Sequence, residues 1–412
     1  MRKVLLYTDN DSFAGCENMI TVLLDNKEFR DKFDVTLYYR GSRAYKKGLS
    51  ARLKSLVSTQ PLPLVVITRS YLPLRFRNNI FFRLALRMIA IVSLPITYLI
   101  NAAVLYISFL LTDRDVIIIN NGGYPGAKSC LQAAVIAKFL GFRTIIMVVN
   151  NTAEIQKDGF KKTLINLYDS FVFRAIDIII TGSIPTSIAL KAARRIGDTE
   201  LLIVPNGIST ERFEAAQIAD RRTKVLVSGH VVSFSIIGLH EVRKGHMVLF
   251  KALAELISRR ADLKDRLILN IEGYGDLTQS FVAFANENNL SSIVEFHGRV
   301  DNISKFYRDT DVLVVPSLFS EDLPNVISEA MLFGIPTLGS NLAGIPSQIS
   351  DGVNGFLFEA GDVSTLSQRM EDLIDKPEIL NDMSKKCVDK FNLHYNSHIA
   401  VSRYTDLISE KI

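Results

Sequence analysis

Tryptophan is absent from this sequence of 412 residues, and cysteine is nearly absent. The three cysteines, Cys16, Cys130 and Cys387, are odd in number and far apart, which argues against a disulfide framework and for a reducing compartment. Charged residues make up 22% and hydrophobic residues 48% of the chain, a balance that excludes a disordered protein and permits large cores. The length favours two or three domains.

Acidic residues are missing from residues 35–112, whereas eleven basic residues lie between Arg40 and Arg87. Nucleic acid is not predicted as a partner, because no helix-turn-helix, zinc-finger or RNA-binding aromatic motif accompanies the basic stretch. An anionic membrane surface explains the stretch better, since a long apolar segment follows it directly. We therefore predict that residues 40–111 contact an anionic membrane surface.

The apolar segment, residues 88–111, contains no charge. As one helix it would be about 36 Å long, enough to cross a bilayer core of about 30 Å. A crossing is not expected, because the strands before and after it are predicted to share one sheet, and Pro95 disfavours a straight helix. We predict a membrane-surface or re-entrant helical pair over residues 80–111, with a buried core helix as the alternative. With a first strand in place of a signal peptide, the predicted location is cytoplasmic, peripheral or monotopic on the inner face of the cytoplasmic membrane.

Apolar strands alternate with helical segments twice along the chain, which predicts two Rossmann-like, doubly wound parallel-sheet α/β domains facing a central cleft. The predicted strands of the first half are residues 3–7, 34–39, 65–68, 116–120, 144–150 and 176–181. Those of the second half are residues 225–228, 267–272, 294–297, 312–316, 337–339 and 355–358. The predicted domains are residues 1–205 and 223–385, and a helical tail, 386–412, is expected to pack back towards the first domain. Ligands of such sheets bind at the carboxyl ends of the strands.

Two glutamates eight positions apart, Glu321 and Glu329, follow the predicted strand 312–316. Pro324 suits the first turn of a helix, and the free N–H groups at its start would form an anion site for a diphosphate. Glu321 lies in the preceding loop, whereas Glu329 lies on the helix, where it can accept hydrogen bonds from ribose hydroxyls. Taken alone, the pair is better explained as two solvated carboxylates around a helix start, a common capping pattern.

The surrounding motifs make the pattern specific. Gly-Ile-Pro at 334–336 and 344–346, Asp-Gly-Val-Asn-Gly at 351–355, Pro-Asn-Gly at 205–207 and Arg-Lys-Gly at 243–245 occur in order across residues 200–360. This region resembles the E-x7-E signature and flanking motifs of the GT4 family of retaining glycosyltransferases, of the bacterial surface-polysaccharide and lipopolysaccharide type. The resemblance implies the GT-B fold, with a nucleotide-sugar donor bound by the second domain.

The resemblance also implies roles for individual residues. Glu321 would contact the donor sugar, and Lys244, aided by Arg243, would neutralise the leaving diphosphate; these three are the catalytic candidates. Donor contacts are expected from Glu329 at the ribose and, by backbone or side chain, from Leu323, Pro324, Asn325, Gly229, His230, Gly298 and Val300. No metal or other cofactor is implied, since cations and a helix N-terminus would carry the diphosphate charge.

Three departures from the family pattern affect the site. The family often has Gly-Arg shortly before Lys-Gly, whereas this chain has Gly229-His230 followed by an apparent insertion, residues 231–241. The first loop is Ala-Gly-Cys-Glu at 14–17 in place of a Gly-Gly pair, and Asn150-Asn151 stands where many members have a histidine. We take as acceptor-side candidates the residues of these loops and of the 120–126 loop: Gly15, Asn121, Gly122, Tyr124, Asn150 and Asn151.

Three interpretations of function stay open. The first is a membrane-associated retaining glycosyltransferase that transfers sugar from a nucleoside diphosphate sugar to a lipid-linked or glycan acceptor, building lipopolysaccharide, O-antigen or capsule. The second is a nucleotide-sugar 2-epimerase of the same fold, for which the apparent insertion leaves room. The third is a non-catalytic, membrane-associated sugar-binding or scaffold protein, against which the intact Lys244, Glu321 and Glu329 argue.

Overall fold

The structure is a computed structural model, described here for residues 1–13, 15–66, 79–113, 115–153, 160–194, 196–319 and 321–411. The chain divides into two compact units. The first unit comprises Met1–Thr181, Ala189–Leu202 and Tyr404–Ile412, and the second comprises Gly182–Ile188 and Ile203–Arg403. The predicted domain limits, 1–205, 223–385 and 386–412, remain a prediction, because a division into compact units does not test them.

The first unit is built on a seven-stranded sheet in the order β3-β2-β1-β4-β5-β6-β7. Its strands are β1 (Arg2–Thr8), β2 (Phe33–Arg40), β3 (Ser58–Leu62), β4 (Val116–Asn121), β5 (Thr144–Val149), β6 (Ile178–Thr181) and β7 (Glu200–Ile203). Strands β1 to β6 are joined by parallel pairing. Every residue of β4 and β5 is buried, as expected of parallel strands covered on both faces.

Helices connect these strands. They are α1 (Asn18–Asp25), α2 (Lys27–Lys32), α3 (Arg43–Arg52), α4 (Ile80–Leu110), α5 (Lys128–Leu140), α6 (Phe160–Phe173) and α7 (Ile184–Ala193). The core of the first unit joins β1, β4, β5 and β6 to the inner sides of α5 and α6. The predicted third strand, 65–68, is wrong where it is described: Val65 and Val66 are not in a strand, and residues 67 and 68 lie outside the described residues. The sequence pattern misses β3 because it is a polar strand with one buried residue, typical of a sheet edge.

The apolar segment forms one continuous helix, α4, with Pro95 inside it, so the predicted helical pair is wrong. A proline inside a helix removes one backbone hydrogen bond, and here the helix continues on both sides of it. Leu105 and Phe109 are buried, and the Phe109 ring lies 5.9 Å from that of Tyr7. By contrast, none of the described side chains of residues 80–100 is buried. The core-helix alternative therefore holds only for the C-terminal part of α4.

The second unit is built on a six-stranded sheet in the order β10-β9-β8-β11-β12-β13, with every pair parallel. This is the strand order of a Rossmann-type sheet. Its strands are β8 (Val232–Ile237), β9 (Leu267–Glu272), β10 (Val294–Gly298), β11 (Val312–Val315), β12 (Thr337–Ser340) and β13 (Gly355–Phe358). The two-domain parallel α/β fold is therefore confirmed.

The helices after α7 are α8 (Ala215–Thr223), α9 (His246–Arg259), α10 (Thr278–Glu287), α11 (Ile303–Arg308), α12 (Asn325–Leu332), α13 (Ile345–Gln348), α14 (Val363–Asp375), α15 (Ile379–His394) and α16 (Ser397–Glu410). Residues of α16 from Tyr404 onwards group with the first unit. The predicted strand 225–228 is wrong: it pairs with no strand, and Leu226 instead exchanges backbone hydrogen bonds with the Asn381 side chain. The first strand of this sheet is β8, whose Ser233 and Ser235 interrupt the apolar pattern.

Candidate functional site

The loop after β11 carries the first of the two signature glutamates. Strand β11 ends at Val315, and helix α12 begins at Asn325 with Pro324 at its N-cap position. Pro324 has no side-chain acceptor, so the cap is made by its backbone carbonyl, which accepts a hydrogen bond of 3.0 Å from the N–H of Ile327. Leu323 is buried beside this N-terminus. The structure thus gives the second unit the strand, loop and helix predicted around the E-x7-E pattern.

A glycine brings the basic motif against this loop. Gly245 has a φ of +70°, and a Cβ there would collide with the carbonyl oxygen of Pro316. The backbone of Arg243 also accepts a hydrogen bond of 2.8 Å from the N–H of Leu318. Only glycine permits both the left-handed conformation and this approach. Lys244 and Arg243 are therefore held at the carboxyl end of β11.

The three catalytic candidates converge on one oxygen atom. Glu321 Oε1 accepts hydrogen bonds from Lys244 Nζ at 2.6 Å, Arg243 Nη1 at 2.8 Å and the Ser317 hydroxyl at 3.1 Å. We call these four residues the Glu321 cluster. Arg243 also pairs with Glu241 at 2.6 Å. Glu321 is buried, so its charge is compensated by two cations rather than by water.

Glu329 has its own partners on α12. One carboxylate oxygen accepts from Arg212 at 3.0 Å and the other from the buried Tyr307 hydroxyl at 2.8 Å. Burial, with the nearby Glu329 charge, raises the pKa of Tyr307, so the hydroxyl stays a donor. Each carboxylate oxygen keeps a second lone pair that a ribose hydroxyl can use. The sequence patterns missed Arg212 and Tyr307, because nothing in their spacing relates them to Glu329.

The end of β10 also belongs to this edge of the second sheet. Gly298 has a φ of +62°, and its carbonyl accepts a hydrogen bond of 2.8 Å from Gly273, just after β9. The Val300 N–H hydrogen-bonds to the Glu272 carboxylate, whose pKa is raised mainly by burial. Gly298 and Val300 therefore lie on the same carboxyl edge as the Glu321 cluster.

The positions predicted for Gly229 and His230 are wrong. Both residues precede β8, so they lie at the amino edge of the parallel sheet, opposite to the edge that carries Glu321. There His230 bonds at 2.8 Å to Asp311, the residue before β11. The apparent insertion, 231–241, is also wrong, because it contains β8 itself. The glycine that follows this strand is Gly238.

Two histidines lie behind the basic motif. His246 begins α9 next to Gly245, stacks on the Phe281 ring at 5.1 Å and meets the His240 ring edge-on at 4.9 Å. Burial, with the neighbouring His240 and Lys244, lowers the pKa of His246 to about 3. Burial also lowers the pKa of His240. Both rings are therefore neutral at neutral pH and leave the positive charge on Lys244 and Arg243.

The acceptor-side candidates belong to the first unit and divide into two groups. Asn121 and Tyr124 are buried: the Asn121 amide holds its own loop through Pro125 and Ala127, and the Tyr124 hydroxyl donates to Asp169 at 3.0 Å. Burial raises the pKa of Tyr124. A ligand-facing role for these two side chains is therefore wrong, because both are buried and their polar atoms form hydrogen bonds within the protein.

The other candidates lie around the carboxyl ends of β1, β4 and β5. Gly15 is exposed at the start of a 3-10 turn, Gly15–Glu17, and Gly122 is half-buried. The Asn150 amide donates to Asn120 at 2.7 Å, and Asn151 accepts from the backbone of Thr152 at 2.8 Å. Asn150 and Asn151 are only partly buried, so these amides suit hydroxyl groups of an acceptor.

A buried carboxylate organises this edge and was missed from the sequence. Glu17 accepts hydrogen bonds from the hydroxyls of Thr8 at 2.9 Å and Tyr45 at 2.6 Å, and from the amides of Asn10 and Asn120. Burial raises the pKa of Glu17, while these donors oppose the rise. Glu17 belongs to the first loop, residues 14–17, from which the sequence predicted only Gly15 as an acceptor-side candidate.

Comparisons with known proteins agree with this geometry. Residues 230–376 match the family model described as glycosyl transferases group 1. One relative is the D-inositol 3-phosphate glycosyltransferase of Streptomyces scabiei, which is 23% identical over 56% of this chain and 53% of the relative. Another is the UDP-Gal:alpha-D-GlcNAc-diphosphoundecaprenol alpha-1,3-galactosyltransferase of Escherichia coli, which is 26% identical over 52% of this chain and 55% of the relative. The chain thus spans about half the length of these relatives.

Solved structures extend the similarity of fold to the whole chain. The crystal structure of Anabaena HepE in complex with UDP and glucose has a TM-score of 0.73 at 17% identity, covering 99% of this chain and 100% of that chain. Sucrose-phosphate synthase from Thermosynechococcus elongatus has a TM-score of 0.66 at 16% identity, covering 100% and 99%. The predicted resemblance is confirmed at this level: residues 230–376 are similar to the glycosyl transferases group 1 family, and the chain has the GT-B fold.

Proposed function

We propose that this chain is a retaining glycosyltransferase that moves a sugar from a nucleoside diphosphate sugar to a lipid-linked glycan acceptor in bacterial surface-polysaccharide synthesis. The observation that carries the proposal is the Glu321 cluster, in which Lys244 and Arg243 meet one carboxylate oxygen near the N-terminus of α12. Two cations and a helix start in one place suit a diphosphate.

In the proposed reaction, the bond between the anomeric carbon and the diphosphate oxygen breaks while the acceptor hydroxyl bonds to that carbon on the same face. The acceptor proton passes to an oxygen of the leaving diphosphate. Lys244 and Arg243 neutralise the charge that develops there, and such stabilisation is commonly the largest catalytic contribution. Glu321 then contacts the sugar, and Glu329, held by Arg212 and Tyr307, binds the ribose.

We propose that the reaction needs no metal ion, because the two cations and the helix N-terminus carry the diphosphate charge. A uridine donor is favoured: the Escherichia coli relative names UDP-galactose as its donor, and Anabaena HepE was crystallised with UDP and glucose. The same relative names a diphosphoundecaprenol-linked sugar as its acceptor, which supports a lipid-linked acceptor here.

We further propose that the chain is cytoplasmic and monotopic on the inner face of the cytoplasmic membrane. Helix α4 is the one helix within the described residues that is long and apolar enough to cross a membrane, and 11% of its most apolar 18-residue window is buried. Asn101 hydrogen-bonds to both the N–H and the carbonyl of Val65, and both residues belong to the first unit. Because these two positions lie side by side, we propose that residues 80–100 of α4 enter the membrane without carrying the chain across it.

The test is a transfer reaction with UDP-sugars and a diphosphoundecaprenol-linked sugar in detergent, with product stereochemistry assigned by NMR. We expect UDP release that depends on the acceptor, is unaffected by EDTA, and gives an α-linked product from an α-linked donor. An inverted product would contradict the mechanism. A donor epimerised at C2 without transfer would indicate the epimerase alternative, and nucleotide binding without turnover of any donor would indicate a scaffold.

A further inference from the structure

Three helices of the first unit, α4, α5 and α6, contact one another through aromatic side chains. The Tyr106 ring of α4 lies 6.2 Å from the Phe139 ring of α5, and the Tyr98 hydroxyl of α4 lies 3.0 Å from the Tyr168 hydroxyl of α6. Phe139 of α5 is therefore a direct neighbour of α4, and α6 contacts α4 through the two tyrosine hydroxyls. The sequence patterns did not single out α5 or α6 for this surface.

Three side chains of α5 and α6 are large, apolar and exposed. Phe139 is 78% exposed, Leu167 71% and Phe171 59%. Leu167 and Phe171 are four residues apart, so they share one face of α6. We call these three residues the apolar rim. Full burial of such a side chain is worth about 1.5–3 kcal/mol, so an apolar surface of this size favours a partner that covers it.

Charge also selects the partner. Among the described side chains of α4, α5 and α6, the exposed charged groups are all basic: Arg87, Lys128 and Lys138, of which Lys138 pairs with Asp177 at 2.9 Å. The single acidic residue of these helices, Asp169, is buried and paired with Arg194 at 3.1 Å. The described side chains of these helices therefore expose no carboxylate to anionic headgroups, and α5 and α6 adjoin α4, whose length and composition suit a bilayer.

We propose that Phe139, Leu167 and Phe171 form a second membrane contact, seated in the headgroup region of the same anionic bilayer that residues 80–100 of α4 enter. The inference rests on the membrane location within the proposed function and adds to it an orientation. With α4 alone in contact, a single helix of the first unit would touch the bilayer. With the rim also in contact, α5 and α6 lie against the bilayer and the first unit holds one orientation.

The absence of tryptophan from the chain makes a direct test possible. Four single-tryptophan variants are required: Phe139→Trp and Phe171→Trp on the rim, Ile96→Trp on α4, and Leu393→Trp, an equally exposed position on α15, as the control. Each is mixed with phosphatidylcholine–phosphatidylglycerol vesicles whose acyl chains carry bromine either near the headgroups or near the bilayer centre. Bromine quenches only a tryptophan that reaches it.

We expect both rim tryptophans to lose at least half their emission with shallow bromine and less with deep bromine, Ile96→Trp to be quenched, and Leu393→Trp to be unchanged. Quenching of Ile96→Trp with both rim positions unquenched overturns the second contact while leaving the α4 membrane location intact. No quenching at Ile96 or the rim overturns both. A blue shift of the rim tryptophans that requires higher protein concentration but no vesicles identifies a second copy as the occupant, which also overturns the inference. None of these outcomes depends on transfer activity.

Discussion

Lys244 and Glu321 form an ion pair of 2.6 Å between side chains that are 77 positions apart in the sequence. The pair forms because Gly245 lets the basic motif contact the loop after β11. Without a donor, Glu321 is the counter-ion of Lys244 and Arg243. A diphosphate offers these cations more charge than one carboxylate does, so we expect it to become their partner and to release Glu321 towards the sugar.

Replacing Lys244 by alanine tests the leaving-group role. We expect Lys244→Ala to lower kcat by roughly 100- to 1,000-fold, the usual effect of removing one group that stabilises developing charge. The melting temperature should change little, because Arg243 still pairs with Glu321. Lys251→Ala removes the same charge from an exposed position on α9 and should leave kcat unchanged. Equal rates for the two variants would exclude the role.

The ribose role of Glu329 requires an isosteric change. Truncation to alanine would leave the buried Tyr307 hydroxyl without its acceptor and destabilise the fold. Glu329→Gln keeps an acceptor oxygen but removes the charge. Hydrogen bonds to charged groups are worth about 1.5–3 kcal/mol, so the Kd for the nucleoside diphosphate should rise roughly ten- to a hundredfold. Titration calorimetry measures this directly, with the exposed Glu287→Gln as control; an unchanged Kd would refute the role.

Two glycines with similar φ angles allow two effects of a Gly→Ala substitution to be compared: the steric clash of a new Cβ and the strain of a left-handed residue. Gly245 has a φ of +70° and Gly229 a φ of +82°, but a Cβ on Gly229 meets no atom within 4 Å. Gly229→Ala should therefore cost only the strain of a left-handed residue, about 1–2 kcal/mol in the free energy of unfolding. Gly245→Ala should cost more and also weaken donor binding, because it pushes Lys244 away from Pro316. Equal losses of stability and unchanged donor affinity would contradict this account.

His246 makes the stability of the fold sensitive to acid. Its pKa is lowered to about 3, so the folded protein keeps the ring neutral while the unfolded chain takes up a proton below about pH 6.5. The contribution of His246 to the free energy of unfolding is thus fully present above pH 6.5 and is lost as the pH falls towards 3. Between pH 7.5 and 5.0 the loss is about 2 kcal/mol.

His246→Phe removes the titrating group but keeps the stacking on Phe281, and neither ring nitrogen has a hydrogen-bond partner among the described residues to lose. Chemical denaturation at the two pH values should show a smaller difference for the variant than for the parent chain. His398→Phe, an exposed change on α16, is the control. The same pH dependence in all three proteins would show that His246 does not titrate in this way.

The sequence predicts those parts of the site whose functional residues lie within one local motif. Glu321 and Glu329 flank a strand-to-helix turn, and Lys244 precedes a glycine, so their motifs are local. Arg212 and Tyr307 reach Glu329 through tertiary packing, which no local pattern encodes. The error at His230 arose because the serines inside β8 interrupt its apolar pattern, so the strand was predicted too early in the chain. His230 was therefore expected at the carboxyl edge of the sheet, whereas it lies at the amino edge.

The apolar segment shows a similar division. Its length and lack of charge predicted a segment at a membrane surface, and none of the described side chains of residues 80–100 is buried. They could not predict that Leu105 and Phe109 anchor the same helix to the first sheet, since these residues look no different in sequence from their exposed neighbours. Which apolar residues are buried depends on the partners that the fold brings to them.

Donor binding tests the central claim most directly. The purified chain should be titrated by calorimetry with UDP, GDP, ADP, CMP and dTDP, each with and without EDTA, alongside Lys244→Ala and Glu329→Gln. We predict that one nucleoside diphosphate, UDP, binds at micromolar to millimolar concentration, that EDTA has no effect, and that both substitutions weaken binding. Binding of none of the nucleotides, or binding unaffected by either substitution, would contradict the assignment of the donor site to the Glu321 cluster and Glu329.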